Sequence, residues 1–225
     1  MRKNIKKSNE CSLCEKKASK KLDDKNLCNK CFLNVFERKI KRQIRQKNKL
    51  CKGETILAID NITEYVLKEV IKLPLNIITK NQSYFKITNF TSINTISQNE
   101  KLAQFIKENK INKVILPWTA DNEIEFFLNS FMKQQSLQKN NQKQKTQKIQ
   151  KIQKNLPKKF IKLFTPIPQD ALEYYCELKK IKYTKCEKKN QKNNELKKLI
   201  NDFELKYPGT KNALIKSSKL ISSIR

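Results

Sequence analysis

The chain has 225 residues and a formal charge of +29, from 50 Lys and Arg against 21 Asp and Glu. This length is sufficient for one α/β core and a small additional module. Because histidine is absent, Ser-His and Cys-His catalytic pairs are excluded, and two distant glycines, Gly53 and Gly209, cannot form a glycine-rich phosphate loop. The charge predicts a polyanionic partner, and we favour nucleic acid. The alternatives are an anionic membrane surface, although no apolar run reaches the ~20 residues of a spanning helix, and solvated lysines that reflect codon bias.

Residues 1–10 form a basic, polar lead that we expect to be disordered. Two CxxC pairs follow, formed by Cys11, Cys14, Cys28 and Cys31. Each pair can direct two thiolates at one tetrahedral ion, so the spacing predicts a zinc ribbon with a structural Zn²⁺. Two disulfides or two redox pairs are the alternatives. The odd number of cysteines and the absence of a hydrophobic signal stretch argue against the disulfides.

Residues 32–49 predict a helix with one apolar stripe, because apolar side chains recur there at helical spacing. The stripe consists of Phe32, Val35, Phe36, Ile40 and Ile44. Cations cover the other faces, and we expect four of them to contact an RNA backbone: Arg38, Lys39, Arg42 and Arg45. A solvated charged face is the alternative, although so many cations on one helix repel each other.

Strands and helices alternate from Gly53 onward, which predicts a parallel α/β sheet. The predicted strands are 55–59, 75–79 and 113–117, with 85–88 as a further candidate. The predicted helices are 64–73, 98–110, 121–132, a segment that begins at 165–168 and continues to 179, and 193–205. Residues 134–155, rich in Gln, Lys and Asn, interrupt the pattern as a disordered or loosely helical insertion that acts as a linker or touches RNA.

Several segments, taken in chain order, resemble motifs of a known family: 28–45, 52–59, 166–174 and 203–210. The first two are similar to the zinc module, basic helix and first strand of the tRNA thiolation ATPases, the PP-loop enzymes that make 2-thiouridine or 2-thiocytidine. The third is similar to that family's PL…E…Y segment, and the fourth to its E-x-x-x-PGT signature. The resemblance implies an adenine nucleotide alpha hydrolase-like parallel sheet with an N-terminal zinc ribbon and basic helix.

The chain departs from this family at the positions that carry chemistry. In place of the SGGKDS pyrophosphate loop it has Asp60, Asn61, Ile62, Thr63, Glu64 and Tyr65. Acidic side chains there would repel phosphate, so ATP is not expected as a cofactor. The GHNLDDE motif keeps only part of its acidic set at 117–123. The central CxxC of the family aligns with the cysteine-free segment 93–105, so an iron–sulfur cluster is not expected either.

The remaining cysteines have no predicted catalytic role. Cys186 lies near a family cysteine but lacks its partner, so we interpret it as an ordinary free thiol. Cys176 is expected in the core, and Cys51 is unassigned.

The resemblance and the departures from it together imply a pseudoenzyme: a non-catalytic, tRNA-binding subunit of a cytoplasmic tRNA 2-thiolation system that modifies wobble uridine. Its expected partners are tRNA and a catalytic PP-loop paralogue in a hetero-oligomer, with no membrane. One alternative is an active tRNA sulfurtransferase with a diverged ATP site, and another is a zinc-ribbon scaffold that binds protein. The predicted divisions are the lead 1–10, a zinc module with basic helix 11–50, and a degenerate PP-loop domain 51–225.

Overall fold

The computed structural model describes residues 9–47, 50–87, 96, 99–138, 159–183, 191–207 and 209–224. Most of the predicted lead 1–10 and of the insertion 134–155 lies outside these ranges, as do Thr88 and Cys186. The boundary predicted between residues 50 and 51 stays a prediction.

The N-terminal module is a short hairpin followed by a long helix. Strand β1 (Lys20–Leu22) pairs antiparallel with β2 (Lys25–Leu27), and helix α1 (Asn29–Lys47) begins two residues later. Both strands bury a leucine at their last position, Leu22 and Leu27, against the apolar side of α1. The predicted basic helix is therefore present, and it begins three residues earlier than its apolar stripe indicated.

The main sheet has four parallel strands, which confirms the predicted α/β fold class. They are β3 (Thr55–Ile59), β4 (Asn76–Lys80), β5 (Lys113–Leu116) and β6 (Phe160–Lys162), in the order β4-β3-β5-β6. Three coincide with predicted strands to within one residue: β3, β4 and β5. Of these, β3 and β5 contain the continuous apolar runs that are typical of strands covered on both faces, and they are buried from their second residue onward. The carboxyl ends of all four strands share one edge of the sheet.

Helices connect the strands and cover both faces of the sheet. They are α2 (Asn61–Tyr65), which continues as a π-helical stretch (Val66–Ile71), α3 (Glu100–Glu108), α4 (Ala120–Gln138), α5 (Gln169–Lys179), α6 (Gln191–Lys206) and α7 (Thr210–Ile224). Helix α2 begins at Asn61 rather than at Glu64, because the Asp60 carboxylate accepts the Asn61 N–H. The predicted strand at 85–88 is wrong for its described residues: Gln82–Phe85 is a 3₁₀ helix, closed by Lys86 at φ 54°.

Alternate side chains of the sheet enter two separate cores. One face, with Ile56 and Ala58, packs against α1, α2 and α5. The other face, with Leu57 and Ile59, packs against α3 and Trp118. Helix α1 and helix α3 therefore lie on opposite sides of the sheet. No helix within the described ranges is long and apolar enough to cross a bilayer.

Candidate metal centre and nucleic-acid interface

The hairpin module brings the four N-terminal cysteines together. The sulfur atoms of Cys11, Cys14, Cys28 and Cys31 all lie within 4.8 Å of one another, and those of Cys14 and Cys28 are 3.4 Å apart. We call these residues the four-cysteine group. A tetrahedral ion with metal–sulfur bonds of about 2.3 Å separates its ligands by about 3.8 Å. The four-cysteine group is therefore a metal-binding site, and it is compatible with a zinc ribbon.

The electrostatics of the four-cysteine group favour a cation. Burial would raise the pKa of Cys11, but hydrogen bonds from nearby backbone N–H groups, that of Cys28 first, lower this pKa to about 6. The N–H of Cys31 likewise lowers the pKa of Cys28. The pKa of Cys31 itself is raised to about 12 by its hydrogen bond with Cys14 and by burial. Because neighbouring thiolates repel, the four sulfurs can all ionise only around a positive ion.

Helix α1 is fixed to the sheet domain by its buried side. The rings of Phe36 and Tyr175 stack with centroids 4.0 Å apart. The Tyr175 hydroxyl donates to Glu37 at 3.2 Å, and the same carboxylate pairs with Lys179 at 3.4 Å. These contacts set which side of the helix faces outward.

The outward side of α1 carries the arginines that the sequence assigned to RNA. At about 100° per residue, Arg38, Arg42 and Arg45 fall within about 60° of one another around the helix axis. They are exposed, and none forms an ion pair with a described residue. Phe36 and Ile40 occupy the opposite, buried side. We call these three arginines the arginine face.

Lys39, the fourth predicted RNA contact, has a different environment. Its ammonium lies 2.6 Å from the Asp23 carboxylate and 3.4 Å from the Pro166 carbonyl oxygen. Asp23 is in the hairpin turn, and Pro166 follows β6. Lys39 thus joins the four-cysteine hairpin to the sheet domain. Of the four predicted RNA contacts, the three arginines are the ones without an ion pair to a described residue.

Asp60 follows the carboxyl end of β3, at the position where the SGGKDS pyrophosphate loop of the tRNA thiolation ATPases would begin. Its side chain is 5% exposed, its backbone has φ 85° and ψ 148°, and its Oδ1 accepts the Asn61 N–H at 2.8 Å. Its Oδ2 atom has no hydrogen-bond partner among the described residues. Burial raises the pKa of this carboxyl above its ordinary value. Of the other five residues in the segment, Ile62 and Thr63 are buried, while Asn61, Glu64 and Tyr65 retain some exposure.

Two further carboxylates at this edge of the sheet are neutralised by lysines. Glu123 accepts from Lys162 at 2.6 Å and from the buried Trp118 indole at 2.7 Å. Asp121 pairs with Lys211 at 2.7 Å. The sequence pattern drew attention to the two acids but missed both lysines, which lie far away along the chain. The only available signal was general: half-buried carboxylates need a counter-charge.

The fold is similar to that of a solved tRNA thiolase. The chain is similar to the U34-tRNA thiolase NcsA from Methanococcus maripaludis with its [4Fe-4S] cluster: the TM-score is 0.70, and the match covers 96% of this chain and 89% of that chain. At 15% sequence identity the likeness establishes the fold. Neither a protein-family model nor a curated protein sequence matches the chain.

The comparison corrects one expectation from the sequence. An iron–sulfur cluster was not expected, because the family's central CxxC is missing. That inference is wrong, since a protein of the same fold has a [4Fe-4S] cluster and the four-cysteine group supplies the thiolates that such clusters use as well as those that zinc uses.

Proposed function

We propose that this protein is a non-catalytic, tRNA-binding subunit of a tRNA thiolation system and that it works with a catalytic PP-loop paralogue in the cytoplasm. The observation that carries the proposal is the arginine face of α1, held outward on a fold that it shares with a U34-tRNA thiolase. Guanidinium groups form paired hydrogen bonds with phosphate oxygens, so a row of three suits a nucleic-acid backbone.

The position of the arginine face supports tRNA binding. Helix α1 follows directly after the four-cysteine group, and the Lys39–Asp23 ion pair ties the hairpin to the helix. A metal held by these cysteines would therefore rigidify the base of the helix that presents the arginines. Rigid positioning lowers the entropy lost when the side chains engage phosphates.

The carboxyl edge of the sheet supports the non-catalytic part of the proposal. Ligands of open α/β sheets bind at this edge, usually at a glycine-rich turn. Here the turn after β3 has a buried carboxylate at Asp60 and no glycine, and Lys162 and Lys211 are engaged by Glu123 and Asp121. Neither of these two lysines is free to neutralise a phosphate beside the turn after β3, where phosphoryl chemistry would need positive charge.

The test is a tRNA-binding titration of the Arg42→Ala/Arg45→Ala variant. We expect the variant to bind tRNA at least roughly tenfold more weakly than the wild type. The magnitude of the slope of log affinity against log salt should decrease by about 1.4 to 1.8, because two phosphate contacts are lost. Lys198→Ala/Lys206→Ala is the matched control, since it removes two exposed charges from α6. Unchanged affinity and slope in the arginine variant, or equal losses in the control, would contradict a specific role for α1.

A further inference from the structure

A second group of cations lies on the side of the sheet opposite to α1. Its centre is Tyr84, in the 3₁₀ helix after β4, and this residue is 40% exposed. The Lys101 ammonium lies 4.0 Å from the ring centroid and the Lys80 ammonium 4.9 Å from it. Two positive charges from two different elements therefore converge on one exposed aromatic ring. We call these three residues the tyrosine–lysine site.

Two phenylalanines pack against the Tyr84 ring, and one of them also contacts Lys80. Tyr84 makes edge contacts with Phe85 at 4.9 Å and with Phe105 at 5.8 Å between centroids. Phe85 is buried in the core beneath the sheet, and Lys80 also lies 5.9 Å from the Phe105 ring. An aromatic side chain anchored in this way keeps its position when a ligand arrives, which reduces the entropy cost of binding.

The charges of the site are not balanced within the described part of the chain. Neither Lys80 nor Lys101 forms an ion pair with a described carboxylate, and Glu100 beside Lys101 forms none with either lysine. Lys101 also lies in the first turn of α3, where the helix dipole disfavours a cation. Cation–π contact compensates for part of this repulsion, and an anion would compensate for more of it.

We propose that the tyrosine–lysine site binds a single-stranded segment of the RNA, with a phosphate held by Lys80 and Lys101 and a base against the exposed part of Tyr84. Cations combined with an aromatic ring are the recurring means of holding single-stranded nucleic acid. The proposal deepens the proposed function and rests on it. One tRNA would then contact α1 on one side of the sheet and this site on the other, passing the carboxyl edge between them.

Two variants separate the two components of the site in a tRNA-binding titration over a range of salt concentrations. In Lys80→Gln/Lys101→Gln the side chains stay long and polar but lose their charge, so the salt slope should fall by about 1.4, the value for two single-strand phosphate contacts. In Tyr84→Ala a stacking surface is lost, so affinity should fall roughly 5- to 100-fold while the slope stays unchanged. Tyr84→Phe keeps the ring and should bind like the wild type.

Matched controls exclude general charge and folding effects. Lys107→Gln/Lys110→Gln removes two exposed charges, one from the last turn of α3 and one from the turn that follows it, and should keep the wild-type slope. Circular dichroism and thermal unfolding of each variant establish that it is folded. If Tyr84→Ala is unfolded, Lys80→Gln/Lys101→Gln still tests the site, because it leaves the Tyr84 ring in place.

Each pattern of results decides the inference. If the arginine variant of α1 loses binding while the Tyr84 and Lys80/Lys101 variants do not, the proposed function stands and this site is overturned. If the wild type does not bind tRNA, both fail together. Competition by AMP at the concentrations used for tRNA would assign the site to a free nucleotide and would also overturn the RNA proposal.

Discussion

At the scale of single residues, Asp60 is a buried acid whose protonation depends on folding. Since burial raises its pKa in the folded state, folding favours the neutral form. Stability is therefore fully retained below the ordinary carboxyl pKa and falls as the pH rises from that value through the raised one. Asp60→Asn keeps an oxygen for the Asn61 N–H and removes the charge. We expect its free energy of unfolding at pH 7.5 to exceed that of the wild type by on the order of 1 kcal/mol.

Urea denaturation at several pH values measures this effect. The gain from Asp60→Asn should shrink as the pH is lowered and vanish below the ordinary carboxyl range, because the wild-type side chain is then protonated in both states. Asp202→Asn, at an exposed position of α6, is the control and should change little at any pH. A gain of equal size at acidic and neutral pH would mean that the charge of Asp60 is not the cause.

The sequence predicts which residues come together at a site only where those residues lie close to one another along the chain. The two CxxC pairs predict the four-cysteine group because each pair is one local turn, and the arginine spacing predicts one helix face. The pairs Asp121–Lys211 and Glu123–Lys162 could not be predicted, because the fold brings distant segments together. For the same reason, the engagement of Lys39 by Asp23 was not visible in a row of four similar cations.

At the scale of elements, we expect the hairpin module to depend on a metal held by the four-cysteine group. Its two short strands bury little apolar surface apart from Leu22 and Leu27, so a bound metal should supply much of the order of the hairpin. Cys28→Ser should weaken metal retention by more than the roughly 10- to 100-fold that loss of an outer-sphere partner costs. Metal analysis of the purified protein, with its visible absorption spectrum, measures this retention and distinguishes zinc from an iron–sulfur cluster.

Cys51→Ser is the matched control for this element. Cys51 is an exposed cysteine outside the four-cysteine group, and its replacement should leave the metal content unchanged. Full metal content in Cys28→Ser, or an equal loss in Cys51→Ser, would contradict the assignment of the centre to the four N-terminal cysteines.

The elements that the sequence predicted well have strong local patterns, and those that it missed do not. Strand β3 is a continuous apolar run, and α1 repeats apolar residues at helical spacing, so both were predicted. The segment 85–88 has the alternation of a strand, yet Gln82–Phe85 forms a 3₁₀ helix because the buried Phe85 and the partly exposed Tyr84 pack against α3. Helix α7 was not predicted, and it packs its Ile215 beside Ile200 of α6, a tertiary contact that sequence periodicity does not reveal.

At the scale of the whole molecule, the match to a thiolase over 96% of the chain includes both the hairpin module and the sheet domain. The molecule therefore has a fold similar to that of the thiolase, while the turn after β3 has a buried acid, Asp60, and no glycine. Under the proposed function, this chain contributes RNA binding to a complex whose chemistry occurs in another chain. Substitutions in this chain should then change the affinity for tRNA, and substitutions in the catalytic chain should change the rate of the chemical step.

We expect the purified protein alone to leave tRNA unmodified, and a catalytic PP-loop paralogue with an intact SGGKDS loop to thiolate tRNA more efficiently when this protein is added. Mercury-containing gels, which retard thiolated tRNA, measure the product. If the arginine face acts only in binding, Arg42→Ala/Arg45→Ala should raise KM for tRNA roughly tenfold and leave kcat unchanged, so saturating tRNA restores the rate. Thiolation by this protein alone would contradict the non-catalytic assignment. Unchanged KM and kcat of the paralogue after addition of this protein would contradict the partnership.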